Sequence, residues 1–200
     1  MKRYGIIGGT FDPIHYGHLY IAYEAMKQLN LDNVIFMPTG NPPHKEGKKV
    51  TDALIRYEMV NKAIKDFPKF SISNYEIEKK GFSYTYETLE YFKNDDIELF
   101  FITGADCLMD IETWEKTDEI LSLCNLVTFS RGGFSNKKLI KQKEYIEKKY
   151  NVNITVLALK KLEISSTDIR ERIRSDKRID FFVPKSIIEL IKNNNLYKEE

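Results

Sequence analysis

Cysteine is scarce in this chain: Cys107 and Cys124 are the two it has, and they are not spaced as Cys-x-x-Cys. Two cysteines in a chain of this kind are read as reduced bystanders in the core. Charge of one sign is also missing, with 31 basic against 30 acidic residues and a formal net charge of +1. No broad positive field exists to grip a duplex, so nucleic acid is excluded as a partner. No apolar run approaches the roughly 18 residues that a spanning helix needs. The start, Met1-Lys2-Arg3-Tyr4-Gly5-Ile6-Ile7-Gly8, is basic but lacks an apolar signal core. The expectation is a cytoplasmic protein with no membrane partner. Internal repeats, low-complexity tracts and linker-like stretches are absent too. So are two phosphate-binding motifs, the dinucleotide Gly-x-Gly-x-x-Gly and the Gly-x-x-x-x-Gly-Lys-Ser/Thr loop.

What is present is a chain of 200 residues with 42% hydrophobic content, enough to bury a core without staples. Short apolar runs alternate with helical patterns. Strands are expected at Tyr4 to Gly8, Val34 to Met37, Phe70 to Ile77, Leu99 to Thr103, Leu126 to Ser130 and Ile154 to Leu157. The first helix follows from Leu19, Ala22, Tyr23, Met26 and Leu29 falling on one face. Others cover roughly Asp52 to Lys65, Tyr84 to Phe92, Lys137 to Lys149, Thr167 to Arg174 and Lys185 to Asn193. This alternation predicts an α/β fold: a single doubly wound, Rossmann-like domain over residues 1–200, with a mainly parallel sheet.

The unusual residues cluster where the strands end. Gly8-Gly9-Thr10-Phe11-Asp12-Pro13-Ile14-His15 follows the first strand and Asn41-Pro42-Pro43-His44-Lys45 the second. Gly104-Ala105-Asp106 follows the fourth, Arg131-Gly132-Gly133 the fifth and Ile164-Ser165-Ser166-Thr167 the sixth. In a parallel sheet these ends share one edge, and ligands bind in the crevice there. The five segments are expected to converge on one site.

Adjacent glycines at Gly8 and Gly9 let the backbone turn tightly against a ligand. His15 and His18 are three apart at the start of a helix, on its leading face. Free N–H groups and the helix dipole favour phosphate oxygens there, two imidazoles add donors, and Gly17 is expected to leave room for a phosphate chain. A metal centre built from His15, His18 and His44 is the competing reading, although zinc sites usually add a cysteine or a carboxylate. Ser165 and Asp168 have capping-box spacing, so a plain helix start is one reading of the second segment. Three consecutive hydroxyls with Arg170 one turn in, and Arg174 on the same face, suggest an anion cradle as the other. Asp12 before Pro13 reads as a turn former.

Gly8 to His18 and Ile164-Ser165-Ser166-Thr167-Asp168-Ile169-Arg170 together resemble the nucleotidyltransferase superfamily with His-x-Gly-His and Ile-Ser-Ser-Thr-x-x-Arg signatures. Within it, the sequence is similar to bacterial nicotinate-nucleotide adenylyltransferases from Tyr4 to about Tyr197. Class I aminoacyl-tRNA synthetases share the first signature but are much longer and carry a Lys-Met-Ser-Lys-Ser loop missing here. The resemblance implies adenylyl transfer from ATP to nicotinate mononucleotide in NAD biosynthesis. It implies His15, His18 and Arg170 as catalytic groups, holding the ATP phosphates with Ser165, Ser166 and Thr167. Gly8, Gly9, Thr10, Phe11 and Gly104 would line the adenosine side, with Asp106 on the ribose. The mononucleotide would meet Asn41, His44, Lys45, Tyr84, Thr85, Trp114 and Arg131. The attacking phosphate is already an anion, so positioning and charge neutralisation suffice. Mg²⁺ is expected on the ATP phosphates and water, with no ligands from protein side chains. Other acceptors (nicotinamide mononucleotide, 4′-phosphopantetheine), a nucleotide-sensing module without turnover, and a homo-oligomer are left open.

Overall fold

The computed structural model describes residues 1–40, 50–79, 81–129 and 136–198. Strand β1 (Lys2–Gly9) runs through the middle, flanked by β2 (Asn33–Pro38) and β4 (Ile97–Gly104). Strand β3 (Phe70–Ile72) lies outside β2, while β5 (Asn125–Phe129) and β6 (Ile154–Val156) extend the other side. The order is β3-β2-β1-β4-β5-β6, and every pairing is parallel.

A parallel sheet must be covered on both faces, which is why its strands read as continuous apolar runs. Successive residues Ile6 and Ile7 point to opposite faces and both are buried. On the Ile7 face lie α1 (Tyr16–Gln28), α2 (Ala53–Ile64), α8 (Ser166–Arg174) and α9 (Lys185–Asn193). They supply Leu19, Ala22, Met59, Val60, Ile169 and Ile187 to a cluster with Phe36, Phe100 and Ile102. On the Ile6 face lie α4 (Thr85–Phe92), α5 (Ala105–Asp110), α6 (Thr117–Leu123) and α7 (Asn136–Tyr150). Leu89, Leu108, Ile120 and Leu139 from these pack with Ile35, Met37 and Phe101. One helical turn, α3 (Tyr75–Glu78), follows β3, and a 3₁₀ turn covers Ile111–Thr113.

Capping explains two starts. Asp52 accepts hydrogen bonds from the Leu54 and Ile55 amides at 2.9 and 3.4 Å, and Ser165 accepts from Asp168 N–H at 3.1 Å. Each cap satisfies otherwise orphaned amides and contributes about 1 kcal/mol.

Three expectations need correction. The strand expected over Phe70 to Ile77 stops at Ile72. The Asn74 carbonyl then accepts from the amides of Ile77 and Glu78, both at 2.9 Å, turning the rest of that run into α3. On α1, Tyr23 is exposed and the buried stripe runs through Leu19, Ile21, Ala22 and Ala25 instead. Tyr23 has Lys27 above its ring, so it serves as a cover for a charged stem rather than as core. Helices α5 and α6, between β4 and β5, were not expected at all.

This strand order reverses direction between β1 and β4. Gly9 and Gly104 therefore end side by side at the carboxyl edge, where a doubly wound sheet opens its crevice.

Candidate active site

The turn after β1 is built around buried rings. Phe11 takes a left-handed φ of 51° and is 2% exposed, its ring edge-on to His18 at 5.0 Å and tilted against Phe36 at 5.8 Å. A Cβ at Gly9 would come within 3.2 Å of that ring, so the glycine is what lets Phe11 fold back. Phe11 can therefore reach a ligand through its backbone and not through its ring.

His15 is the N-cap of α1 and His18 its third residue. Their rings stack at 3.7 Å with 23° between planes, and both are buried. The His15 amide donates to Nδ1 of His18 at 3.3 Å. That contact places the ring hydrogen of neutral His18 on Nε2, the nitrogen pointing away from its own backbone. Gly17 does not leave open space. A Cβ there would lie 3.0 Å from the His15 ring and 3.6 Å from Ile164, so the missing side chain makes room for His15.

The second predicted segment docks directly on this turn. Ser166 Oγ donates to the Pro13 carbonyl at 2.9 Å, and Arg170 donates to the Asp12 carbonyl at 2.7 Å and to Thr167 Oγ1 at 3.3 Å. The N-termini of α1 and α8 are thus held together. Ser165 and Thr167 stay exposed. Arg170 and Arg174 share a hollow of about 660 Å³ with Asp12, Thr51, Tyr197 and Lys198.

Asp12 does more than shape a turn. Its buried carboxylate accepts from Tyr197 Oη at 2.6 Å and from the Thr51 amide at 3.3 Å. Behind it, Arg56 is 1% exposed and donates to the carbonyls of Thr51 and Thr10 at 2.8 Å each and of Gly40 at 3.4 Å. One guanidinium thereby clamps three loop segments at the strand edge.

On the other side of β1 lies a cavity of about 470 Å³. Gly8, Gly9 and Thr10 form one wall, and Tyr84, Thr85 and Trp114 form another. Trp114 is half-buried and edge-on to Phe101 at 6.1 Å. Asp106 is the second residue of α5, which starts directly after β4, and is exposed there. Asn41, His44, Lys45 and Arg131, also expected at the site, lie outside the described residues. Among the described residues, no three His, Cys, Asp or Glu side chains are grouped so as to hold a metal ion. None of their helices is long and apolar enough to cross a membrane.

Sequence reasoning missed Glu76, whose side chain lines the same cavity and is 8% exposed. Thr88 Oγ1 donates to its Oε1 at 2.8 Å. Burial pushes this carboxyl up to about 7, against the opposing pull of the Thr88 and Ser83 hydroxyls and of Lys79. Carboxyls perturbed by burial inside a cleft are concentrated at functional sites, which makes Glu76 a candidate. The signal available beforehand was an acid between Tyr75 and Ile77 just after a buried strand. Burial pushes the Cys124 thiol up to about 12, in keeping with an inert core cysteine.

Residues 6–172 match a family model described as cytidylyltransferase-like. A Clostridium botulinum (strain Eklund 17B / Type B) protein named "Probable nicotinate-nucleotide adenylyltransferase" is 83% identical over 200 residues, covering all of both chains. A Clostridium perfringens (strain SM101 / Type A) protein of the same name is 55% identical over 202 residues, again covering all of both. Among solved structures, Plasmodium falciparum nicotinic acid mononucleotide adenylyltransferase complexed with NaAD has a TM-score of 0.79. It is 21% identical, with coverage of 100% of this chain and 99% of that one, a likeness of fold.

Proposed function

The chain belongs to the cytidylyltransferase-like family and, within it, to the nicotinate-nucleotide adenylyltransferases, and from that membership we propose how its cleft works. It transfers the adenylyl group of ATP to nicotinate mononucleotide, giving nicotinate adenine dinucleotide and pyrophosphate in NAD biosynthesis. The observation that carries the reading is the placement of two different receptacles on one strand end. The Gly8–Thr10 backbone borders an aromatic cavity with Trp114, Tyr84 and Thr85, and the next residues lead into the paired helix starts with His15, His18 and Arg170.

In this reading the aromatic cavity takes the pyridine ring, with Trp114 stacked on it and Thr85 near its carboxylate. The helix starts take the ATP phosphates, through the α8 amides, Ser165, Ser166, Thr167 and Arg170. Asp106 accepts from the ribose hydroxyls, and Gly104 with the Gly8–Phe11 backbone borders the adenosine. Asn41, His44, Lys45 and Arg131 complete the mononucleotide side, as the family resemblance implies. The mononucleotide phosphate attacks the α-phosphorus in line with departing pyrophosphate. Its oxygen is already ionised, so no protein base takes a proton. His18 Nε2–H and Arg170 meet the charge that develops on the phosphoryl oxygens and the leaving group.

Nucleotidyl transfer from ATP calls for a divalent metal, which we take to be Mg²⁺. The donor set at the helix starts is imidazole, hydroxyl and guanidinium, which would hold such an ion only through the ATP phosphates, and it would supply charge neutralisation there. The site of action is cytoplasmic in this account.

The test is pyrophosphate release from ATP with three acceptors in parallel. Fast release with nicotinate mononucleotide, slower release with nicotinamide mononucleotide and none with 4′-phosphopantetheine is expected. Binding of ATP without release with either mononucleotide would mean a nucleotide sensor.

A further inference from the structure

The base cavity contains an acid that the reaction above leaves idle. Glu76 lines the cavity together with Tyr84, Thr85 and Trp114. Its carboxyl accepts from the Thr88 hydroxyl in the first turn of α4, and the Ser83 hydroxyl pulls on it as well. Among the described residues no lysine or arginine forms an ion pair with it. Lys79 is committed to Glu87 and lies 5.5 Å from the Tyr84 ring centre.

The charged and titratable groups around it do not provide a substitute. Its own segment brings Tyr75, Glu78 and Lys79, and α4 with its N-cap brings Tyr84, Tyr86, Glu87 and Glu90. Across the cavity stand Cys107 and Glu115, and β1 and β2 contribute only Ile6, Gly8, Gly9 and Met37. Among these described groups, acids outnumber the one cation, Lys79. A substrate carboxylate entering here meets a second carboxyl group that is largely buried, and two such groups do not both stay ionised at low cost.

Resting on the adenylyl-transfer reading, we propose that Glu76 determines acid-over-amide specificity by admitting the nicotinate carboxylate only while Glu76 itself carries a proton. The proton stays on Glu76 because a carboxyl attached to a cationic pyridinium is the stronger acid of the two. Protonated Glu76 can donate its O–H to the substrate carboxylate. Ionised Glu76 offers only acceptors, which repel nicotinate and suit the N–H₂ group of nicotinamide. The cavity holds the free carboxyl at about 7, so both forms are populated near neutrality.

The protonated form binds the acid substrate, so kcat/KM for nicotinate mononucleotide holds below about pH 7 and declines above it. The corresponding value for nicotinamide mononucleotide does not decline with it. Taking the ratio of the two removes the titration of the phosphates, which both reactions share.

The experiment measures that ratio from pH 6 to 9 in the full chain and in Glu76→Gln, which cannot ionise. The unsubstituted protein should lose about tenfold in the ratio per pH unit above 7, the slope of a one-proton linkage, and the variant should show a flat line. Calorimetric titration with nicotinate mononucleotide at pH 8, in two buffers of different ionisation enthalpy, supplies a readout independent of turnover and of the variant's folding. It should register uptake of about one proton. A flat ratio in the unsubstituted protein, equal slopes in both proteins, or binding without proton uptake would each overturn the proposal. Turnover of nicotinate mononucleotide alongside any of these leaves the adenylyl-transfer reading intact. Absence of turnover with either mononucleotide marks the failure of that reading instead.

Discussion

Tyr197 donates its hydroxyl to Asp12 Oδ1 at 2.6 Å, joining the last turn of the described chain to the loop that carries His15 and His18. The same Asp12 receives the Thr51 amide on Oδ2 and Arg170 on its carbonyl. Burial and the adjacent carboxylate raise the Tyr197 phenol far above its ordinary range, so it remains a donor at every working pH. Tyr197→Phe keeps the ring and removes one bond to a charged acceptor, a change of about 1.5–3 kcal/mol. The expected result is a lower denaturant midpoint together with a raised KM for ATP, since the loop and Arg170 lose a shared anchor. Unchanged stability would show that the Thr51 amide alone suffices to hold Asp12.

Arg56 is the second anchor. Its guanidinium donates to three carbonyls, Thr10 after β1 and Gly40 and Thr51 at the two ends of the β2–α2 loop, while 1% exposed. Arg56→Met removes three donors at once and should cost about 1–3 kcal/mol for each carbonyl that loses its partner. Arg56→Lys should recover only part of this, because an ammonium lacks the planar fork that reaches three directions at once. Urea midpoints of the two variants check the order. Equal loss in both would mean that packing of the stem, not the fork, is what matters.

Much of this architecture was legible from residue order, for physical reasons. The strands of an all-parallel sheet are buried on both faces, so each reads as an apolar run. Helix α9 was placed correctly over Lys185 to Asn193, where Pro184 starts it and a run of asparagines ends it. Helices α5 and α6, six and seven residues long, were missed because they are too short to display a helical period. Even so, the three-residue spacing of Ala105, Leu108 and Ile111 was visible. The turn proposed for the phosphates stood out in the sequence because its glycines and histidines all fall between Gly8 and His18. The cavity proposed for the base was only half visible, since Glu76, Ser83, Thr88 and Thr113 come to it from separate elements. Within Glu76-Ile77-Glu78-Lys79, a buried acid looks like any solvated charge. The role of Gly17 was misread for a related reason: the sequence shows a missing side chain, and only the fold shows that His15 fills the gap.

Glu76 also predicts a pH effect on stability, separate from specificity. Its folded-state value of about 7 lies above the ordinary 4.5, so the folded chain binds the proton more tightly than the unfolded chain. Below about pH 4.5 both states are protonated and no penalty arises. Between 4.5 and 7 the unfolded state ionises first, so stability falls as pH rises, by up to about 3 kcal/mol, and then levels off. Glu76→Gln removes that dependence while keeping an acceptor for Thr88. The variant should therefore gain on the unsubstituted protein between pH 5 and pH 8 in paired urea unfolding. A difference that does not change with pH would contradict the buried-acid account.

The central claim is that the paired helix starts stabilise the phosphoryl transfer, and the turnover of His18→Ala tests it most directly. His18 is wedged between Phe11 and His15, so its removal also costs packing, and rates must be expressed per mole of folded protein. With saturating ATP and nicotinate mononucleotide, loss of one such donor should lower kcat by about a hundred- to a thousandfold. The KM values should change far less. A folded His18→Ala protein that releases pyrophosphate at the unsubstituted rate would contradict the account, because its best-placed donor would then take no part in the reaction.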